Sequence, residues 1–224
     1  MIDIVVPTLN AASTLVPSLS ALSAARGAWP CRLVVSDGGS SDDTVAIARS
    51  LGAQIVTAPR GRGSQLARGA AGEGDWLLFV HADTVLGPGW VEAARRFMAA
   101  PENGERAGYF RLRFDSTAPQ ARRVERWVAW RCRVLGLPYG DQGLLISRRC
   151  YEAVGGFRAL PLMEDVDIVR RIGRKRMEIL PADAVTSARR YQRDGWWLRP
   201  LRNLFCLGLY LCGVPPRLIL RLYA

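Results

Sequence analysis

The chain has 224 residues, 49% of them apolar, with 31 Lys and Arg against 20 Asp and Glu, a formal charge of +11. That length suits one domain with a small appendage, and that charge favours polyanions such as nucleotide phosphates, anionic lipid surfaces or nucleic acid. Neither zinc-finger spacing nor an aromatic RNA-binding motif accompanies the charge, so no specific nucleic-acid partner is expected.

Arginine carries nearly all of the positive charge; Lys175 is the sole lysine. The five cysteines form no CxxC pair and read as small buried thiols in a reducing compartment. The chain enters Met1-Ile-Asp-Ile-Val-Val-Pro7 directly, without a signal-peptide pattern. No stretch reaches the roughly 18–20 apolar residues of a spanning helix, and the nearest, Leu204–Val214, is too short. The expected location is the cytoplasm, with contact to the inner face of the cell membrane left open.

Taken in order, Ile2–Val6 is an expected strand, with Pro7-Thr8-Leu9-Asn10 as its exit loop and residues 11–25 as the first crossover helix. Cys31–Ser36 is a second strand. Asp37-Gly-Gly-Ser-Ser-Asp-Asp-Thr44 follows, combining a strand-end carboxylate, two glycines and a Ser/Asp cluster fit to cap the helix Thr44–Leu51. Gln54–Thr57 is a third strand, and the Gly61/Gly63 loop opens a helix carrying Arg62, Gln65 and Arg68. Trp76–Val80 is an unbroken apolar run, expected as a strand buried on both faces; it passes into His81-Ala82-Asp83-Thr84 and Gly87-Pro88-Gly89. Strand and helix alternating at intervals of roughly 25 residues predict a parallel sheet of βαβ units.

Beyond it, Trp90–Ala100 is an expected helix, Gly108–Phe114 a half-exposed strand with alternating pattern, and Ala118–Leu135 a long basic, aromatic helix. Gly143–Ile146 is a short strand, Arg148–Val154 and Val166–Ile172 are helices, and Met177–Leu180 is the last strand, ended by Pro181. The pattern then changes, and residues 1–185 read as a sheet domain with a helical tail at 186–224. The tail mixes Trp, Leu, Phe and Arg in a way that suits an interfacial helix, a homodimer contact or a packed core helix alike.

Three acidic groups fall at or just after strand ends: Asp37, Asp83 and the pair Glu164-Asp165. Singly, each has a plain alternative: Asp37 shapes a turn, Asp83 caps a helix, and the pair opens one. Jointly they are more informative, because the carboxyl ends of parallel strands share one edge, where open α/β folds bind ligands. A hard carboxylate there suits Mg²⁺ or Mn²⁺ and, through the ion, a phosphate.

In order, Val5-Val-Pro-Thr-Leu-Asn10, Val35-Ser-Asp-Gly-Gly-Ser-Ser-Asp-Asp-Thr44, Phe79-Val-His-Ala-Asp-Thr84 and Met163-Glu-Asp165 strongly resemble family 2 glycosyltransferases over about residues 1–180. Ser187-Ala-Arg-Arg-Tyr191 and the Arg/Leu-rich tail are similar to a compact bacterial subfamily. The resemblance implies the α/β GT-A fold, with a mostly parallel central sheet, and inverting transfer from a nucleotide-sugar donor, a UDP-sugar ahead of a GDP-sugar, to an unknown acceptor.

By resemblance, Pro7, Thr8 and Asn10 line the nucleoside pocket and Asp37 binds base or ribose. Arg62, Gln65 or Arg68 approaches the base or diphosphate. Asp83 is the last carboxylate of a DxD-like motif and the ligand of Mn²⁺ or Mg²⁺. His81, followed by Ala82, stands where the family has the first Asp, leaving fewer anionic ligands; a neutral imidazole there could donate to a ribose hydroxyl or ligate Mn²⁺. Asp165 is the general base, and Glu164 binds acceptor or orients it. Asp141 and Gln142 lie in a loop that contacts the donor sugar or acceptor, or is a plain turn. Arg189 or Arg190 clamps the diphosphate from a mobile segment, unless that loop is simply solvated. Two other classes remain to be weighed. A nucleotidyltransferase would show a Gly-rich, basic loop after the first strand, where this chain has Pro7-Thr-Leu-Asn10; a non-catalytic, basic membrane-associated module would have no use for Asp37, Asp83 and Asp165 together.

Overall fold

The structure is a computed structural model that describes residues 1–223. Its first half follows the alternation of the sequence: β1 (Ile2–Thr8), α1 (Ala12–Ser23), β2 (Cys31–Asp37), α2 (Thr44–Ser50), β3 (Gln54–Thr57), α3 (Arg62–Gly69), β4 (Trp76–Phe79). The second half is β5 (Thr84–Leu86), α4 (Trp90–Ala99), β6 (Ala107–Phe114), α5 (Pro119–Leu135), β7 (Leu144–Ser147), α6 (Arg148–Ala153), α7 (Glu164–Ile172), β8 (Met177–Thr186), α8 (Arg189–Asp194), α9 (Leu198–Leu211) and α10 (Pro216–Tyr223).

The eight strands form one sheet in the order β3-β2-β1-β4-β7-β6-β8-β5. β1 pairs in parallel with β2 and β4, β2 with β3, and β6 with β8. β7 is antiparallel to both β4 and β6, and β5 is antiparallel to β8. The sheet is therefore mostly parallel, with one reversed strand at its centre. β1 shows why its run is apolar throughout. Ile2, Ile4 and Val6 pack with Leu15, Leu19 and Phe97 on one face, whereas Val5 packs with Leu66, Leu77 and Ile146 on the other. Pro7 is tolerated because β4 pairing has already ended, at Val5 opposite Phe79.

Several boundaries differ from expectation for identifiable reasons. The last strand does not stop at Pro181. Phe110 pairs with Leu180 but Arg111 with Asp183, so Pro181 and Ala182 form a bulge and β8 runs on to Thr186. β5, a three-residue strand, was too short to read from its sequence. The segment after β8, expected to be mobile, forms the six-residue helix α8. Behind it, Cys206, Leu207 and Ile219 of α9 and α10 enter the same apolar cluster as α3, α6 and α7, so the tail packs on the sheet's own core. Among the described residues, no helix is long and apolar enough to cross a membrane.

Candidate active site

The loops leaving β1 and β2 are laced together. The Asn10 amide donates to Ser40 Oγ (2.9 Å), Asn10 Oδ1 accepts from the Ser41 amide (2.9 Å), and the Ala11 amide donates to Thr44 Oγ1 (2.7 Å). Asn10 holds a left-handed backbone (φ 50°), which asparagine tolerates better than most residues. Asp37 is the knot. Its Oδ1 accepts from Thr8 Oγ1 (2.9 Å) and Ser40 Oγ (2.5 Å), and its Oδ2 from the amides of Gly39 (2.9 Å) and Ser40 (2.8 Å). Burial works to raise the Asp37 carboxyl, but these bonds, led by those from Ser40, outweigh it and hold it below the usual range. From α3, buried Gln65 donates through Nε2 to the carbonyls of Thr8 (2.5 Å) and Ser36 (3.1 Å), pinning β1 to β2.

Pro7, Thr8 and Asn10 thus line an open groove of about 760 Å³, with Gln65, Ala82 and Glu164 on its other walls. Arg62, His81, Asp83 and Arg190 line this groove and also the adjoining cavity of about 130 Å³. The cavity is completed by Asp141 and Asp165, by Trp127 and Arg131 of α5, and by Arg199 and Asn203 of α9. Asp83 and Asp165 therefore share one cavity, and Asp37 underlies the groove beside it.

The reversed strand makes this convergence possible. β4 brings His81 and Asp83 to the edge by its carboxyl end; antiparallel β7 brings Gly140–Gln142 to the same edge by its amino end. There the Gly140 amide donates to Asp165 Oδ2 (2.9 Å), while Asp165 Oδ1 accepts from the Val166 amide at the start of α7 (2.8 Å). Gly140 is required: a Cβ at this position would lie 2.4 Å from His81 Nε2. Met163, just before α7, is held in the left-handed region (φ 64°), a strained setting that aims the Glu164-Asp165 pair.

Three groups in this region carry shifted protons. Loss of solvent, then the charge of Arg62, pushes His81 down to about 3 against the pull of Asp165, so the ring is neutral. Loss of solvent, with Arg131 opposing and Asp165 and Asp83 adding, raises Asp141 to about 6; its Oδ1 has no hydrogen-bond partner among the described residues. Loss of solvent and the neighbouring Asp165 charge raise Glu164 to about 7, partly offset by Arg62. Glu164 Oε1 lies 3.4 Å from Arg62 Nη1, an ion pair without a hydrogen bond. Arg190 Nη2 stands 3.8 Å from Asp83 Oδ2.

Other candidates lie elsewhere or are already engaged. Arg68 is exposed, since six residues past Arg62 it has turned to another side of α3, and it lines neither groove nor cavity. Arg189 is likewise exposed, and only its neighbour Arg190 reaches the site. Gln142, 2% exposed, lines neither groove nor cavity and is engaged by the protein: its Oε1 accepts from Arg131 (3.3 Å) and Cys132 (3.2 Å), and its Nε2 donates to the Phe110 carbonyl (3.1 Å). Arg131 itself was missed by sequence reasoning. It is buried at 3% exposure, with its guanidinium 3.5 Å from the Tyr139 ring centre. Its one sequence signal was its place four residues after Trp127, on the same side of a helix.

Among the described residues, no three His, Cys, Asp or Glu side chains are grouped to hold a metal ion. The donors present are one carboxylate, Asp83, and a neutral imidazole two residues before it. Mg²⁺ and Mn²⁺ accept so small a protein set when phosphate oxygens complete the sphere, so the residues fit an ion that arrives with a diphosphate.

Residues 3–154 match the family model described as Glycosyl transferase family 2. Among solved structures, residues 1–349 of TarS from S. aureus superpose with a TM-score of 0.62 at 17% identity, over 82% of this chain and 60% of that one. Glucosyl-3-phosphoglycerate synthase from Mycobacterium tuberculosis, in complex with Mg²⁺ and uridine diphosphate, superposes with a TM-score of 0.58 at 21% identity, over 83% and 70%. A mycobacterial protein gives a TM-score of 0.60 at 20% identity over 96% and 76%. At such identities the likeness is one of fold: the GT-A fold expected from the sequence, with helices at its C-terminus.

Proposed function

The chain belongs to glycosyl transferase family 2, and from that premise we propose that it moves a glycosyl group from a nucleoside-diphosphate sugar, a UDP-sugar in the first instance, to an acceptor hydroxyl with inversion. The observation that carries the reading is that Asp83 and Asp165 line one cavity together with Arg62 and Arg190. A carboxylate suited to hold a divalent ion, two guanidinium groups and a second carboxylate that could serve as base line that cavity together. Two neighbouring structures support a uridine donor: TarS has been crystallised with UDP-GlcNAc, and the synthase with uridine diphosphate and Mg²⁺ or Mn²⁺.

In this reading Pro7, Thr8 and Asn10 present the groove wall to the nucleoside, and the pinned loops above Asp37 keep its shape. Asp165 takes the proton of the acceptor hydroxyl as that oxygen attacks the anomeric carbon from the side opposite the diphosphate. Its orientation is fixed beforehand by the amides of Gly140 and Val166. Glu164, raised to about 7, keeps its proton in a substantial share of molecules at neutral pH, and in that form it can donate a hydrogen bond without repelling the diphosphate. Asp141 has an open acceptor atom for a sugar or acceptor hydroxyl. Arg62 and Arg190 receive the charge of the departing diphosphate, and a divalent ion held by Asp83 would supply further compensation for that charge. General-base catalysis contributes roughly 10²–10⁴-fold, and positioning and electrostatics the remainder.

The test is a thermal-shift panel of UDP-, GDP-, CDP- and dTDP-sugars with and without Mn²⁺. One nucleotide is expected to stabilise the protein in a metal-dependent way, by about 2.7 kcal/mol at a hundredfold excess over its dissociation constant. If no nucleotide sugar raises the melting temperature with or without Mn²⁺, the proposal is wrong. The anomeric configuration of the product, read by NMR, tests inversion separately.

A further inference from the structure

The outer side of the tail is unlike any other surface of the molecule. Among the described residues, nine of the fourteen large hydrophobic side chains that are exposed lie between Trp197 and Leu222. On α9 the exposed positions are Leu198, Leu201, Leu204, Phe205, Gly208 and Leu211, with no polar residue among them. At about 100° per residue they fall within one arc of about 140°. α10 continues the face with Leu218 and Leu222, flanked by exposed Arg217 and Arg221. No acidic residue occurs after Asp194, and Trp197, 64% exposed, lies beneath the Arg123 guanidinium at 4.6 Å.

We propose that this face of α9 and α10 docks on an anionic lipid bilayer, lying in the plane of the interface. An apolar arc with a purely cationic fringe and tryptophan beside it matches acyl chains below and anionic headgroups above. α9 is 14 residues long, about 21 Å, so it lies on a bilayer and does not span one. A second copy of the chain fits less well, because across a two-fold contact of this face no acidic residue would be there to meet Arg217 and Arg221. The inner sides of these helices reach the site: Arg199, Pro200 and Asn203 line the cavity and Leu220 lines the groove. Docking therefore places only these two helices between the lipid surface and the site.

Flotation of the full chain with phosphatidylglycerol-rich vesicles and with pure phosphatidylcholine vesicles tests this. Binding to the anionic vesicles is expected to exceed that to the neutral ones by at least about tenfold and to weaken with salt. Leu201→Glu/Phe205→Glu alters only exposed positions and is expected to abolish flotation with an unchanged melting temperature. Arg217→Ala/Arg221→Ala is expected to erase the preference for anionic lipid, and this second variant decides the matter should the first misfold. Failure of the wild-type chain to float, or equal flotation of the glutamate variant, overturns the proposal. So does a lipid-free dimer that the glutamate variant converts to monomer, which would assign the face to a second copy. Flotation needs neither donor nor turnover, so its failure leaves the transferase reading untouched.

Discussion

Along the groove, Thr8 Oγ1, Asn10 Oδ1 and Gln65 Nε2 are spent on the protein itself, and Asp37 beneath them accepts four hydrogen bonds. Toward the cavity, by contrast, Asp141 Oδ1 and, on the shared side of the groove wall, Glu164 Oε1 have no hydrogen-bond partner among the described residues, and His81 is neutral. The groove is a finished cradle that presents shape; the cavity stores unsatisfied polarity where it can act on a reacting group. A buried polar atom left open costs stability, so it is kept where a ligand will complete it. Damage to the groove should therefore be felt first as lost folding and donor affinity, and damage to the cavity as lost chemistry.

The largest expected effect lies in the cavity. Asp165→Asn should lower the transfer rate by roughly 10²–10⁴-fold while uridine diphosphate binds within about threefold of wild type, read by initial rates and calorimetry. Equal losses in both would erase the contrast. In the groove, Asp37→Ala should cost about 2–4 kcal/mol of stability in urea unfolding, because two loops lose their shared acceptor.

Glu164→Gln sharpens the contrast through pH. The folded protein holds the Glu164 proton up to about pH 7, whereas the unfolded chain releases it near 4.5. The native state thus binds the extra proton in between, and the stability linked to it, full below 4.5, is lost as pH rises through 7. The variant has no such loss, so its melting temperature should gain on wild type from about pH 4.5 to above pH 7. His81, which titrates in the opposite sense, is common to both chains. A constant difference across that range would show that Glu164 is not buried as described. The smallest effects concern two adjacent arginines. Arg190→Ala should weaken transfer by about tenfold, and Arg189→Ala by less than twofold. Reversal of that order in parallel assays would mean that α8 presents its other side.

The first half of the fold was legible because it obeys a repeat: apolar run, polar exit, helix. The four motif segments also named the two carboxylates that meet in the cavity. The second half resisted for physical reasons. Leu144–Ser147 is a four-residue apolar strand, and such a run has no direction written in it, so its reversal was invisible. Pro181 gave an honest stop signal that a bulge overrode. Arg131 and Gln142 were hard to place because each is polar yet buried, and only the partner across the fold reveals why. Arg68 and Arg189 were drawn in by proximity to motif residues, although one helical turn decides whether such a side chain reaches a cleft or water.

The reversal of β7 also bears on how such a molecule can be varied. Its entrance loop opens into the reaction chamber, while its exit at Ser147 leads straight to α6 at the far rim. Within Tyr139–Gly143, Gly140 and Gln142 are tied to Asp165, Arg131 and Phe110, so Asp141 is the position left open to exchange, while the laced loops of Asn10 and Asp37 lie in a separate, earlier block of the chain. Variation confined to position 141 could thus retune the chamber without disturbing the loops that hold its neighbours in place.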